Sequence, residues 1–179
     1  MVFACYGEGE SLAFDKRSRT CCFTGHRELF ESTDVIATKI ERAVLKFLDQ
    51  NVIYYGVGGA LGFDMLALET LIRMRDEDKL RDIKIIMVAP FEGYMNSWPA
   101  GMQIYNNRLF AKCDKIVYTS DSSSREAYLV RDRHLVDNSL WCISYCNKTT
   151  GGTAYTLRYA VKKGLTIENL TDFDLSFLR

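Results

Sequence analysis

Short apolar runs alternate along the chain with longer segments whose apolar positions recur every three or four residues. The first run, TCCFTGH at 20–26, reads as a short buried strand. ESTDVIATKIERAVLKFLDQN follows, with Ile36, Ile40, Ala43, Val44, Phe47 and Leu48 on one helical face and Ser32, Thr33 or Asp34 able to cap its start. NVIYYGV predicts a second strand and DMLALETLIRMRDED a second helix. DIKIIMVAP, stopped by Pro90, predicts a third strand, FEGYMNSWPAGM a loop and QIYNNRLFAKC a helix. KIVYTS reads as a fourth strand, and DSSSREAYLVRDRHLVDNS as a loop and then a helix with Leu129, Arg133 and Val136 near one face. LWCISYC predicts a fifth strand, NKTTGG a turn, TAYTLRYAVKKG a helix ending at Gly164, and LTIENL a short last strand.

Strands that alternate with helices pair in parallel through right-handed crossovers. KIIMVA and LWCISYC are apolar on both alternating faces, as strands covered by helices on both sides are. The expected fold is α/β: a doubly wound, mostly parallel, Rossmann-like sheet with helices on both faces. No linker, repeat or low-complexity tract divides it. Residues 20–179 are therefore expected to form one domain, behind a leader, 1–19, of unassigned role.

Composition narrows the partners. Lys plus Arg and Asp plus Glu balance at 23 each, which gives no overall basic field and argues against nucleic acid or an anionic membrane as a partner. No apolar run approaches a membrane span, and MVFACYGEGESLAFDKRSR lacks the charged start and continuous apolar centre of a signal peptide. A cytoplasmic location with reduced thiols is expected. Cys21 and Cys22, adjacent on a strand, point to opposite faces and suit buried thiols. Cys142 and Cys146 have no second CxxC or histidine pair beside them, so no metal is expected.

In a parallel sheet every strand ends on the same edge, and ligands bind there. Past the first strand stand Thr24, Gly25, His26 and Arg27; past the second, Gly56 to Asp64; past the third, Pro90 and Phe91; past the fourth, Thr119, Ser120 and Asp121; past the fifth, Thr149 to Thr153. Gly58, Gly59 and Gly62 read either as a cradle for phosphate or ribose at a helix start, or as a tight turn that packs closely. A second glycine-rich helix start, Gly151-Gly152-Thr153, favours the ligand. Thr153 offers a hydroxyl to that ligand or serves as an N-cap. Asp64 is either a first-turn carboxylate or an acceptor for ribose hydroxyls. Arg27 could hold phosphate, and His26 could donate to it or move a proton, while a surface turn with a salt bridge would also explain the pair. Phe91, Tyr94 and Trp98 read as core rather than a stacking wall. Arg131 and Arg133, on a charge-rich helix, read as a solvated face. No Ser-His-Asp set is legible, and His134 lies within a helical pattern.

CCFTGHR, GVGGALGFD, VAPF, RDRHLVDNS and GGTAYTLRYAVKKG, in this order over about residues 20 to 170, resemble the SLOG superfamily and especially its small YpsA-like bacterial members. The resemblance implies a Rossmann-like sheet whose glycine-rich loops bind nucleotides or their derivatives. It implies a pocket containing Gly25, His26 and Arg27, then Gly58, Gly59, Gly62 and Asp64, then Gly151, Gly152 and Thr153. Thr24 joins this set. Arg131 matches a basic residue that Asn often follows in relatives; here Asp132 follows. The LOG enzymes, which release a base from a nucleoside monophosphate, carry PGGxGTxxE. Here NKTTGGTAYTLRYA lacks both the proline and the glutamate, so a carboxylate for glycosidic cleavage is missing unless Asp64 or another acid substitutes. DprA relatives bind single-stranded DNA, but the balanced charge and lack of extra domains argue against that here. The expected function is binding of a nucleotide or nucleotide derivative, without a defined cofactor, in a sensing or regulatory role. The alternatives are a nucleotide hydrolase with His26 or Asp64 in proton transfer, and an interaction module with a vestigial pocket. The resemblance also admits a homodimer.

Overall fold

The computed structural model describes residues 15–77 and 82–178, so the first fourteen residues of the expected leader, Cys5 among them, lie outside the described residues. The elements are β1 (Thr20–Gly25), α1 (Thr33–Leu48), β2 (Tyr54–Val57), α2 (Phe63–Asp76), β3 (Lys84–Ala89), α3 (Ala100–Phe110), β4 (Lys115–Tyr118), α4 (Arg125–Asp137), β5 (Trp141–Tyr145), α5 (Gly152–Lys162) and β6 (Thr166–Asn169). All strand pairs are parallel, in the order β4-β3-β2-β1-β5-β6. The expected doubly wound α/β sheet is the one observed.

β1 sits beside both β2 and β5. The chain leaves β1 toward β2 on one side and leaves β5 toward β6 on the other. The ends of β1 and β5 therefore flank the point where the winding reverses, and there the backbone leaves a crevice.

α1, α2 and α3 pack on one face of the sheet, with Ile36, Ile40, Leu68, Leu71 and Phe110 in one apolar core. α4 and α5 cover the other face through Leu135, Val136, Leu157 and Ala160. Cys21 belongs to the first core and Cys22 to the second, as alternation along a strand demands. Ser32 caps α1, its hydroxyl accepting from the Val35 amide at 3.4 Å. α2 is buried on most of its surface because α1 and α3 flank it.

α4 departs from the expected face. Its buried stripe is Ala127, Arg131, Leu135 and Val136, whereas Leu129 and Arg133 are half-buried. The 127–131–135 spacing is helical, but an arginine in the middle of it hides the stripe from a reading based on apolar residues. Phe91 and Tyr94 are buried, as expected of core aromatics, with Trp98 packed against them. Among the described residues no helix is long and apolar enough to cross a membrane.

Candidate functional site

A cavity of about 490 Å³ opens at the reversal point, where the ends of β1 and β5 meet the starts of α2, α4 and α5. Thr24, Gly25, His26 and Arg27 line it from the β1 end, Asp64 from α2, Arg131 from α4, and Gly152 and Thr153 from α5. Four stretches separated by up to 130 residues thus meet in one place. A larger crevice, about 590 Å³, lies between α1 and α2, but the Arg73–Glu41 ion pair already satisfies its cation and no glycine-rich helix start reaches it.

The two glycine-rich corners differ. Gly58, Gly59 and Gly62 are not among the cavity's lining residues. A Cβ on Gly58 would stand 2.5 Å from an Arg131 guanidinium nitrogen and 2.6 Å from an Asp64 carboxylate oxygen. One on Gly59 would collide with Met87 and the Tyr94 hydroxyl, and one on Gly62 with the backbone of Arg27. These three glycines admit the protein's own atoms, the close packing of the tight-turn alternative. The α2 start is internally occupied as well: Phe63 N–H donates to the His26 carbonyl at 3.1 Å, and the Ala60 amide bonds the Asp64 carboxylate.

The α5 start is open. Gly151, at φ +92°, and Gly152 have nothing within 4 Å of their Cβ positions, and both are exposed. Gly151 is the N-cap and supplies no side-chain bond, and the first turn carries no acidic residue. Thr153 is therefore not the N-cap; its hydroxyl instead lies 3.5 Å from His26 Nδ1. The first amides of an eleven-residue helix stand uncapped by any side chain, beside a cavity.

His26 is held on every side. Its amide donates to the Tyr145 carbonyl at 3.2 Å, and its Nε2 accepts from the Asn147 amide at 3.1 Å. An imidazole nitrogen that accepts a backbone N–H carries no proton, so the ring is neutral with its proton on Nδ1, toward Thr153. Burial, with Lys148 nearby, lowers its pKa from 6.5, while the Asn147 side chain, beside the ring, favours the charged form. The lone pair needed for proton abstraction is engaged in the bond from the Asn147 amide.

Asp64, 6% exposed, is pushed up to about 7, chiefly by burial and by Asp132, against Arg131, the Ala60 amide and Arg27. Arg131 is likewise 6% exposed; its Nε meets Asp132 Oδ1 at 2.7 Å and its Nη1 donates to the Gly58 carbonyl. This corrects the reading of Arg131 as a solvated face. Burial also raises the Asp132 pKa, against the pull of Arg131. Arg133 is the partner of Glu126 and Tyr155, outside the cavity.

Arg27 is exposed at the rim and makes no hydrogen bond or ion pair among the described residues, so its charge is available. The sequence reading missed Arg125, Tyr128 and Thr156, which also line the cavity. Arg125 follows Ser124, whose hydroxyl caps α4 by accepting from Ala127 N–H at 3.0 Å. That Ser-x-x-Ala start on the strand-end edge was the available signal. Among the described residues no group of three His, Cys, Asp or Glu side chains is placed to hold a metal ion.

The fold and cavity define a Rossmann-like α/β protein with a polar crevice at its topological switch point. The YpsA family model, described as the YspA SLOG family, matches residues 21–175, and the chain belongs to that family. It is 22% identical over 153 residues to a UPF0398 protein of Macrococcus caseolyticus, covering 78% of this chain and 81% of that one. It is 24% identical over 132 residues to one of Brevibacillus brevis, covering 72% and 69%. Among solved structures it is similar to DNA processing protein A from Helicobacter pylori, described for its single-stranded DNA binding mode, with TM-score 0.58 and 18% identity over 84% of this chain and 64% of that one. It is also similar to DprA from Streptococcus pneumoniae, with TM-score 0.60 and 15% identity over 89% and 52%. The chain thus spans between half and two thirds of these structures. They correct the expectation that nucleic acid is an unlikely partner: the H. pylori protein, described for its single-stranded DNA binding mode, shares this fold.

Proposed function

We propose that the cavity binds a nucleotide or nucleotide derivative through its phosphate, as a recognition step in a sensing or regulatory role. The observation that carries this reading is the uncapped start of α5 opening on the same cavity as the unpaired guanidinium of Arg27. Amides at a helix N-terminus and a planar cation are complementary to a phosphate. Tyr128 and Leu129 give the opposite wall an apolar surface on which a base can rest. With His26 internally bonded, binding has more support among these residues than hydrolysis does.

A second reading has its own support. The fold likeness to DNA processing protein A favours single-stranded nucleic acid as the source of the phosphate, with Arg125 and Lys148 extending the basic rim.

Calorimetry with AMP, ADP and ADP-ribose, beside a single-stranded oligonucleotide with and without a 5′-phosphate, separates the two. Binding of a free nucleotide, lost in Gly152→Val, supports the first. Binding of oligonucleotides alone, steep in salt, supports the second. No binding by any probe to folded protein overturns both.

A further inference from the structure

The β5–α5 connection is the open glycine-rich corner of the cavity, and its shape depends on how residues 146–153 are tied down. Cys146 is fixed at one end: its amide donates to Asn169 Oδ1 at 3.0 Å, and Asn169 Nδ2 returns a bond to its carbonyl at 3.1 Å. Further along, the exposed Arg158 donates to the Thr149 carbonyl at 2.6 Å. Between them, the Asn147 side-chain oxygen is buried without a hydrogen-bond partner. The loop is held at Asn147 by its backbone bond to His26. The same imidazole faces the Thr153 hydroxyl at 3.5 Å, and the His26 backbone bonds both β5 and α2.

We propose that His26 is a positioning residue, a latch whose neutral imidazole holds the β5–α5 loop so that the Gly152 and Thr153 amides face the cavity, and whose protonation releases that loop. An imidazolium has donors on both nitrogens and cannot accept the Asn147 amide, so protonation turns a bond into a clash of two N–H groups. The latch is thereby a pH-dependent control on the anion corner. Lys148 on the latched loop acts on the ring directly, and the charged groups lining the same cavity are Arg27 next in sequence, Asp64 from α2, and Arg125, Arg131 and Asp132 from α4. Burial and Lys148 oppose the imidazolium and outweigh the Asn147 side chain, which favours it, so the latch stays closed at neutral pH and opens on acidification below the ordinary histidine range. The link to ligand affinity rests on the phosphate reading above; the latch itself does not.

Two measurements keep these apart. The first uses the free protein: ¹⁵N shifts of the His26 ring, with amide hydrogen exchange of 146–153, from pH 7.5 to 4.5. The expected result is an Nδ1–H tautomer at neutral pH and loss of protection at Asn147 on acidification, by tenfold or more after correction for intrinsic exchange, while β1 amides keep theirs. His26→Gln, whose carboxamide oxygen still accepts, should retain protection without that pH step; His26→Leu should lack it at every pH. An Nε2–H tautomer, or the same acid step in His26→Gln, overturns the latch. The second measurement is AMP affinity against pH in wild type and His26→Gln, a comparison that cancels protonation of the phosphate itself. A steeper acid loss in wild type supports the control of binding. Parallel profiles overturn that control, and absence of AMP binding strikes the phosphate reading while the exchange result decides the latch.

Discussion

Arg131 on α4 donates a hydrogen bond to the carbonyl of Gly58 in the turn between β2 and α2. A buried guanidinium thereby fixes the turn from across the sheet edge, and Asp132 neutralises it from the same helix. Removing the cation leaves the mostly buried Asp132 carboxylate without its charge partner, with Thr156 still bonding it, and takes a donor from the Gly58 carbonyl. Arg131→Met should lower stability by about 3–5 kcal/mol in urea unfolding. Arg131→Lys should recover little of this, because an ammonium cannot present the two-sided fork to Gly58 and Asp132. A loss below about 1 kcal/mol in the Met variant, the range of a surface pair, would show that the turn holds itself.

Glycines that look alike in sequence should separate by experiment. Gly62→Ala forces a Cβ into the Arg27 backbone at φ +85°, and a loss of about 2 kcal/mol or more in unfolding free energy is expected. Gly152→Ala meets open space and lies in the first turn of α5, so stability should stay within about 1 kcal/mol of wild type, with a rise as the more common sign. Thermal and urea unfolding of the two variants tests the contrast, and equal losses would refute it.

Asp64 sets a pH dependence of stability. Its pKa in the fold, about 7, lies above the ordinary 3.8, so the folded state holds the proton more tightly than the unfolded chain does. The stabilising contribution is complete below about pH 4 and declines as pH rises toward 7. Asp64→Asn cannot ionise and should flatten this part of the profile, gaining stability on wild type as pH rises. Urea midpoints for both proteins at pH 5 and pH 8 measure it. A difference that stays constant between pH 5 and pH 8 would mean that Arg131 keeps Asp64 ionised throughout.

Arg27 bears on the ligand rather than the fold. It is exposed and makes no ion pair among the described residues, so Arg27→Gln should leave the unfolding midpoint unchanged. If its guanidinium meets the phosphate, affinity should fall by about ten- to a hundredfold, the loss of one charge-assisted bond, with a shallower salt dependence. AMP and oligonucleotide titrations at two ionic strengths supply both numbers. Unchanged affinity for whichever probe binds would place the phosphate elsewhere.

How far the site was legible follows from what each residue type signals locally. TCCFTGH and LWCISYC marked buried strands, and β1 and β5 prove to be neighbours in the sheet. Gly25, His26, Arg27, Gly152 and Thr153, chosen because they follow those strands, line one cavity. Arg131 misled, because arginine on a charge-rich helix signals solvent unless its partners are known. Those partners, the Gly58 carbonyl and Asp132, lie respectively 73 residues away and next in the chain. Thr156 had no motif to announce it, and Arg125 only the helix start at Ser124.

The order of strands and helices, the apolar stripe of α1 and the gathering of glycines, hydroxyls and charges at one sheet edge were determined by the sequence alone. All three follow from periodicity and from the fixed geometry of parallel crossovers. Tertiary structure decided which glycine-rich helix start is filled by the protein and which stands open. A glycine records only that something comes close to its backbone. Whether that neighbour is Met87, Tyr94 and Arg27, as at α2, or the open cavity, as at α5, depends on atoms brought in from distant parts of the chain.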